Sequence, residues 1–364
     1  MIGFNFGELH NLQCLILLNF IIFILIIIII NYIINSIYAI CKIEMKKIKI
    51  FIAGHKGLVG SALFDFLKRN NFNNIITATR LQLDLTDASK VKQFIKKQKP
   101  DVVINCAGRV GGILANYTYP TEFLFENIKI QMNLVNSCFE NNIKNVILLG
   151  SSCIYPKFAK QPMKEEYLLS GKLELTNEPY ALAKIVGLKS LEYYNRQFKT
   201  NYVALMPTNL YGPNDNFHAI NSHFIPALIK KFHKTNITKK KTVEVWGTGK
   251  AKREMLYVYD LADAICFILK KLLKKDKALK KIIKKTSFIN VGTGIEHSVK
   301  FFVQRIQKIV NPNTKIKFNP KFPDGTPRKL LNSQIIRKLG WRLKTSLDEG
   351  LIRAYDWYLK NYKK

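Results

Sequence analysis

The chain is short of acid. Its 364 residues carry 25 Asp and Glu against 58 Lys and Arg, a formal net charge of +33. Such an excess invites a nucleic-acid reading, since basic surfaces neutralise phosphates. Two absences weigh against it: there is neither zinc-ligand spacing nor interleaving of aromatics with the lysines, which are spread along the chain with one dense run at 270–285. No nucleic-acid partner is expected, and solvated lysine-rich faces account for the charge. Cysteine is sparse as well. The six (Cys14, Cys41, Cys106, Cys138, Cys153 and Cys266) include no C-x-x-C pair. Neither a disulfide framework nor a metal site is expected, and a reducing, cytoplasmic compartment fits.

Charge is missing altogether from "CLILLNFIIFILIIIIINYII", Cys14 to Ile34. About twenty uncharged apolar residues can span a bilayer as a helix. No small-x-small cleavage site follows, which argues against a signal peptide. Lys42, Lys46 and Lys47 lie just beyond, so a retained segment leaves the remainder of the chain on the cytosolic side. Met45, opening "MKKIKIFIAGHKG", offers a second natural start, with residues 1–44 as an upstream extension absent from the working protein. Membrane association is expected only if the segment is kept.

Past Met45 the pattern changes. "KIKIFIAGHKGLVGSALFDFLKRNN" reads strand, tight turn, helix. Ile48 to Ala53 is an apolar run of the buried parallel kind, and Leu63, Phe66 and Leu67 form a helical stripe. Between them Gly54, Gly57 and Gly60 follow G-x-x-G-x-x-G rather than the dehydrogenase G-x-G-x-x-G. Glycines at such a turn admit positive φ and bring backbone N–H groups against a pyrophosphate at the helix N-terminus. The next strand, "NIITATR", lacks a terminal acid. An acid there binds a ribose 2′-hydroxyl and repels a 2′-phosphate. Arg80, with Lys56 from the glycine loop, offers two cations instead, so NADP(H) is expected over NAD(H). Asp84 is a candidate for the adenine amino group. "DVVINCAGRVGG" (Asp101–Gly112) and "NVILLGSSCIYP" (Asn145–Pro156) are further buried strands ending in small-residue turns, with helical patterns in "SKVKQFIKKQ" and "NIKIQMNLVNSCFENN". This β-α alternation predicts an α/β fold: a Rossmann doubly wound parallel sheet.

"NEPYALAKIVGLKSLEYYNRQF" opens a helix with Pro179 near its start. Tyr180 and Lys184, at i and i+4, share one face. The spacing predicts that the Lys184 ammonium lowers the Tyr180 pKa and holds the nicotinamide ribose. Such a tyrosine moves a proton while a hydride passes between cofactor and carbonyl. Ser151, at a preceding strand end, can bond the same carbonyl oxygen. Cys153 is, on the residues alone, a buried small hydrophobe.

These residues resemble the short-chain dehydrogenase/reductase superfamily, in its extended, nucleotide-sugar-modifying branch. "PTNLYGP", "REMLYVYDLADAI", "NVGTG" and "RKLGW" agree, and the resemblance covers essentially Lys46 to the C-terminus. More specific are "GSSCIYPK", "QPMKEEYLLSG", "TNEPYALAKIVGLK", "MPTNLYGPNDNF" and "NSHFIPALI". They are similar to the members that act on GDP-4-keto-6-deoxy-D-mannose, epimerising C3 and C5 and then reducing C4 with NADPH to give GDP-L-fucose. The resemblance implies that Cys153 and His223 exchange the epimerisation protons, the match to "SHFIP" selecting His223 over His218. It implies cofactor contacts at Gly54, His55, Lys56, Gly57, Leu58, Val59, Gly60, Arg80, Asp84 and Leu85. Further contacts are implied at Ala107, Gly108, Leu149, Gly150, Ser151, Ser152, Lys184, Pro207, Thr208, Asn209, Leu210 and His223. It implies GDP-sugar contacts at Lys231, Trp246, Arg253 and Asp324, and a homodimer.

Some positions leave alternatives open. Trp246 packs on guanine or sugar, or is a core aromatic. Lys231 stands where the bacterial pattern has arginine, keeping the charge without its bidentate geometry. The expected division is an apolar extension at 1–44, a mainly NADP-binding part at 45–210 and a smaller α/β, mainly GDP-sugar-binding part at 211–364, with strands and helices exchanged between the two. A lysine-rich insertion at 270–286 reads as an amphipathic basic helix, solvated rather than bound to membrane or nucleic acid. Competing enzyme classes are a 4-epimerase, which would hold NAD tightly, and a 4,6-dehydratase, whose acidic pair is replaced here by Cys153 and Ile154. A non-catalytic dinucleotide sensor would be expected to lack the Tyr/Lys pair.

Overall fold

The computed structural model describes residues 47–218, 222–322 and 324–362, with 19–20, 22–24 and 26–32. Nine of the 21 residues of the apolar stretch Cys14–Ile34, and the start at Met45, lie outside the described residues. Among the described residues no helix is long and apolar enough to cross a membrane.

The strands are β1 (Ile50–Ala53), β2 (Ile75–Ala78), β3 (Val102–Asn105), β4 (Asn145–Leu149), β5 (Asn201–Pro207) and β6 (Asn209–Tyr211). Then come β7 (Thr242–Trp246), β8 (Lys252–Tyr257), β9 (Phe288–Val291), β10 (Glu296–Ser298), β11 (Lys315–Asn319) and β12 (Arg328–Lys329). The helices are α1 (Leu58–Arg69), α2 (Ala88–Gln98), α3 (Ile113–Thr118), α4 (Pro120–Glu140), α5 (Glu178–Phe198) and α6 (Phe224–Thr238). They continue with α7 (Val258–Leu273), α8 (Lys277–Lys285), α9 (Val299–Val310), α10 (Gln334–Lys338) and α11 (Leu347–Asn361).

Six strands form a parallel sheet in the order β2-β1-β3-β4-β5-β9. Alternate side chains feed opposite faces. Ile50, Ile52, Val102 and Ile104 join α1, α7 and α8 in one apolar cluster, while Phe51, Val103, Leu148 and Ala204 join α2, α4 and α5 in another. This is the doubly wound Rossmann arrangement expected. Strand order reverses between β1 and β3, and such a reversal opens a crevice at the carboxyl ends of the strands.

A second lobe gathers around β8, which pairs with β6, β10 and β12, while β11 pairs with β7. Its own core joins α6, α9 and α11 through Phe232, Phe302 and Leu351. The chain then crosses back, since β9 completes the main sheet beside β5. The lysine-rich insertion becomes α7's end and α8. Asp276 caps α8 by accepting from the Leu279 N–H at 2.8 Å, and Leu279 and Ile283 are buried in the main core, leaving lysines outward.

Candidate active site

One cleft of about 750 Å³ runs along the carboxyl ends of the sheet to the second lobe. At its dinucleotide end the glycine turn leads into α1. Gly54 has φ +80°, and a Cβ there would stand 2.7 Å from the Ala107 backbone across the β1/β3 reversal. Gly60 is tighter still, its position for a Cβ lying 2.1 Å from the Gly54 carbonyl oxygen. Helix α1 has no side-chain cap and no acid in its first turn. Its first N–H groups therefore face the cleft unclaimed by a side chain, which fits a cofactor diphosphate. Arg80 lines the cleft beyond β2. Asp84 does too, but its Oδ1 already accepts from the Thr86 N–H and hydroxyl at 2.9 and 2.8 Å, which holds its carboxyl below the usual range.

The catalytic candidates converge from β4 and α5. Ser151 follows the end of β4 by two residues in extended backbone, and its Oγ accepts from the Cys153 N–H at 3.4 Å, closing the short turn 152–154. Pro179 starts α5, placing Tyr180 in the first turn and Lys184 one turn on. The helix is held by Gln131 of α4, whose amide donates to the Ala183 and Asn127 carbonyls at 3.0 and 2.9 Å. Lys184 is 4% exposed and donates to the Leu149 carbonyl at 2.8 Å. Burial pulls its ammonium down to about 8. The expected lowering of Tyr180 is not what the structure gives. Burial, and secondarily the nearby Cys153 thiol, push the phenol above its ordinary value, and the Lys184 ammonium is directed at the strand-end carbonyl.

His223 lines the cleft at the N-cap of α6, its imidazole held below its ordinary value by burial. At the far end Trp246 is 59% exposed, so it is no core aromatic. It stacks on Phe322 with ring centroids 4.4 Å apart and planes 12° from parallel. The Lys231 ammonium sits 5.2 Å from the Trp246 ring and donates to the Glu244 carbonyl at 3.2 Å. Both oxygens of Asp324 accept from Thr248, at 2.7 Å from its N–H and 2.6 Å from its hydroxyl. Arg253 donates to the Thr326 and Asp324 carbonyls at 2.6 and 3.1 Å. Asp324 and Arg253 therefore brace the loop between them.

The cleft also takes in the expected Gly57, Leu58, Val59, Leu85, Ala107, Gly108, Leu149, Gly150, Pro207, Thr208, Asn209 and Leu210. Six expected residues do not line it. Gly60 lies beneath the turn, and the His55 ring meets the Ala78 backbone. Lys56 is exposed, so Arg80 is the cation of that pair on the cleft wall. Ser152 and Cys153 are buried behind the wall, 2% and 6% exposed, and Lys231 reaches Trp246 from outside. The motifs missed Asn116, Arg109 and Glu126. Asn116 lines the cleft, its Oδ1 buried without a partner, and Arg109 pairs with Glu126 at 2.7 Å. Lone polar residues in a turn or a helical pattern carry no signal of this kind.

Residues 50–281 match the NAD dependent epimerase/dehydratase family. The chain belongs to this family. Within it, the chain is 45% identical over 316 residues to GDP-L-fucose synthase 1 of Arabidopsis thaliana, covering 87% of this chain and 94% of that protein. It is 44% identical over 317 residues to GDP-L-fucose synthase of Escherichia coli (strain K12), covering 87% and 98%. Among solved structures, MlghC, a GDP-mannoheptose C4 reductase from Campylobacter jejuni with NADP bound, superposes with a TM-score of 0.77 at 38% identity, covering 85% of this chain and 98% of that one. The cofactor of this NAD dependent epimerase/dehydratase family member is accordingly a nicotinamide dinucleotide.

Proposed function

We propose that the chain converts GDP-4-keto-6-deoxy-D-mannose to GDP-L-fucose by C3 and C5 epimerisation followed by NADPH-dependent reduction at C4. The observation that carries the reading is the convergence of Ser151, Tyr180 and Lys184 on one wall of the cleft with His223 also lining it and Cys153 one short turn behind. Reduction alone uses the first three. A thiol and an imidazole in addition suit a reaction that removes protons from one face of carbon and returns them to the other.

The C4 ketone acidifies the protons at C3 and C5. These protons fall to His223, which lines the cleft, and to Cys153, which must reach the sugar from its place one short turn behind Ser151. His223, held below its ordinary value, is mostly neutral at pH 7 and accepts or relays a proton. NADPH, when bound, supplies the hydride to C4. Tyr180, held protonated by burial, donates its proton to the forming hydroxyl. Ser151 donates a hydrogen bond to the same oxygen, and Lys184, mostly charged at pH 7, stabilises negative charge beside it. Arg80 on the cleft wall and the absence of an acid after β2 support NADP(H). Trp246 with Phe322, Lys231 and Arg253 offer a stacking face and cations for the GDP moiety.

The exposed stripe Leu182, Val186 and Tyr193 on α5, with Phe125 exposed on α4, supports a homodimer through these helices. Cysteines without motif pairing support a cytoplasmic location.

The test supplies the full chain with GDP-mannose, a GDP-mannose 4,6-dehydratase and NADPH. NADPH consumption and GDP-fucose are expected, and absence of both sinks the reading. Tyr180→Phe should slow reduction by about 10²–10⁴-fold while deuterium uptake at C3 and C5 persists. Cys153→Ala should abolish that uptake.

A further inference from the structure

Cys153 borders a small chamber of about 20 Å³, shared with Lys157, Glu174, Asn177, Thr326 and Lys329. Lys329 comes from β12, distant in sequence and carried by none of the catalytic motifs. β12 pairs with β8 in the register Lys329↔Arg253, so the strand pair that presents Arg253 to the cleft presents Lys329 to the chamber. The acid of the chamber, Glu174, pairs with Lys157 at 3.0 Å.

A buried network fixes this approach without using either residue. The Tyr155 hydroxyl donates to Asn290 Oδ1 at 2.7 Å, and Asn290 Nδ2 donates to the Met163 carbonyl at 3.0 Å. The Met163 N–H in turn donates to the Leu330 carbonyl at 2.8 Å, and the Leu331 N–H to Glu254 at 2.9 Å. The turn carrying Cys153 and the strand carrying Lys329 are thereby locked together.

We propose that Lys329 is the positioning residue for Cys153, its ammonium stabilising the thiolate across the chamber and so setting how readily the sulfur takes up and releases the epimerisation proton. The inference rests on the function proposed above. When Cys153 acts as the base, the sugar C–H bond breaks and an S–H bond forms. The electron pair of the C–H bond passes to the enolate oxygen at C4, so negative charge leaves the sulfur beside Lys329. Other groups face the pair. Lys184, the Ser151 hydroxyl and the Tyr180 phenol surround Cys153, while Arg253 and Glu174 act on Lys329. Burial raises the thiol, and among the groups opposing it Lys329 acts most strongly. Burial likewise lowers the ammonium, which the thiolate supports.

The experiment follows iodoacetamide alkylation of the Cys153 peptide against pH, by mass spectrometry, in the full chain and in Lys329→Met, Lys329→Gln and Lys329→Arg. NADPH binding reports that each variant is folded. Removing the cation should move the alkylation midpoint up by about one to three pH units, slowing alkylation about tenfold or more below it, with Arg restoring most of the loss. The acidic limb of deuterium uptake at C3 and C5 should move with it. An unchanged midpoint in Met and Gln overturns the proposal, including the case where only KM for the GDP-sugar rises, which marks Lys329 as a substrate contact alone. A shifted midpoint with no deuterium uptake even in the unaltered chain leaves the thiol–lysine couple standing and removes the proposed function.

Discussion

At the dinucleotide end of the cleft the walls are largely backbone. The turn after β1, the first N–H groups of α1 and the small residues after β3 come from strand ends side by side in one sheet. At the sugar end the walls are side chains from scattered segments: Trp246 on Phe322, Lys231 on Trp246, Asp324 on Thr248 and Arg253 on the loop at 324–326. The first end is rigid because nothing fits between its chains. The second is held by specific bonds that a ligand can exchange for its own. Shape tolerates no added atom at Gly54 or Gly60 in the one, whereas the other loses affinity contact by contact.

The sharpest way to break this contrast is at Gly60. Gly60→Ala puts a methyl 2.1 Å from a backbone oxygen, whereas Gly57→Ala places it at 3.5 Å, an ordinary contact. Fluorescence titration should show NADPH binding lost in the first and kept in the second, with the first destabilised by about 3 kcal/mol or more. Equal behaviour would mean that the turn is not close-packed. A smaller effect is expected at the other end. Trp246→Ala should raise KM for the GDP-sugar about tenfold while the NADPH Kd stays within about twofold. A matching loss of NADPH affinity would erase the distinction.

The smallest effect concerns buried acid. Asp215, in the segment leading to His223, is 5% exposed, and burial pushes its carboxyl from 3.8 up to about 7. The folded state thus holds a proton there that the unfolded chain releases. This contribution is complete below pH 4 and is lost as pH rises to about 7. Asp215→Asn should flatten the fall in Tm across that window. Glu165, Glu254 and Asp260 are also raised by burial and keep part of the slope. An unaltered slope in the variant would show that Asp215 ionises freely when folded.

The contrast also explains what could be read in advance. The glycine turn, the strand-end serine and the Tyr180/Lys184 pair are local patterns, each complete within one strand-turn-helix unit. So are the alternating elements, whose order fixes the sheet. Lys329, Phe322 and Asn116 acquire meaning only where distant segments meet, which no spacing encodes. The Tyr180 phenol shows a different limit. Its i, i+4 lysine is visible in the sequence, but the burial that outweighs it is a property of α4, α5 and β4 packed together. Trp246 has the composition of a core residue and lies on a strand whose residues alternate between exposed and buried, so only the fold tells its face.

The return of the chain to place β9 beside β5 has a consequence for how the protein can be cut. Without β9, the last strand of the first 210 residues would end the sheet with a row of unpaired amides, the template on which chains aggregate. In the intact chain β9 becomes the edge, and Glu165 blunts it by accepting the Asn290 N–H at 2.9 Å. A fragment ending after β6 is therefore expected to associate edge to edge instead of surviving as a monomeric dinucleotide-binding unit, and the segment that shapes the sugar end also keeps the other half in solution.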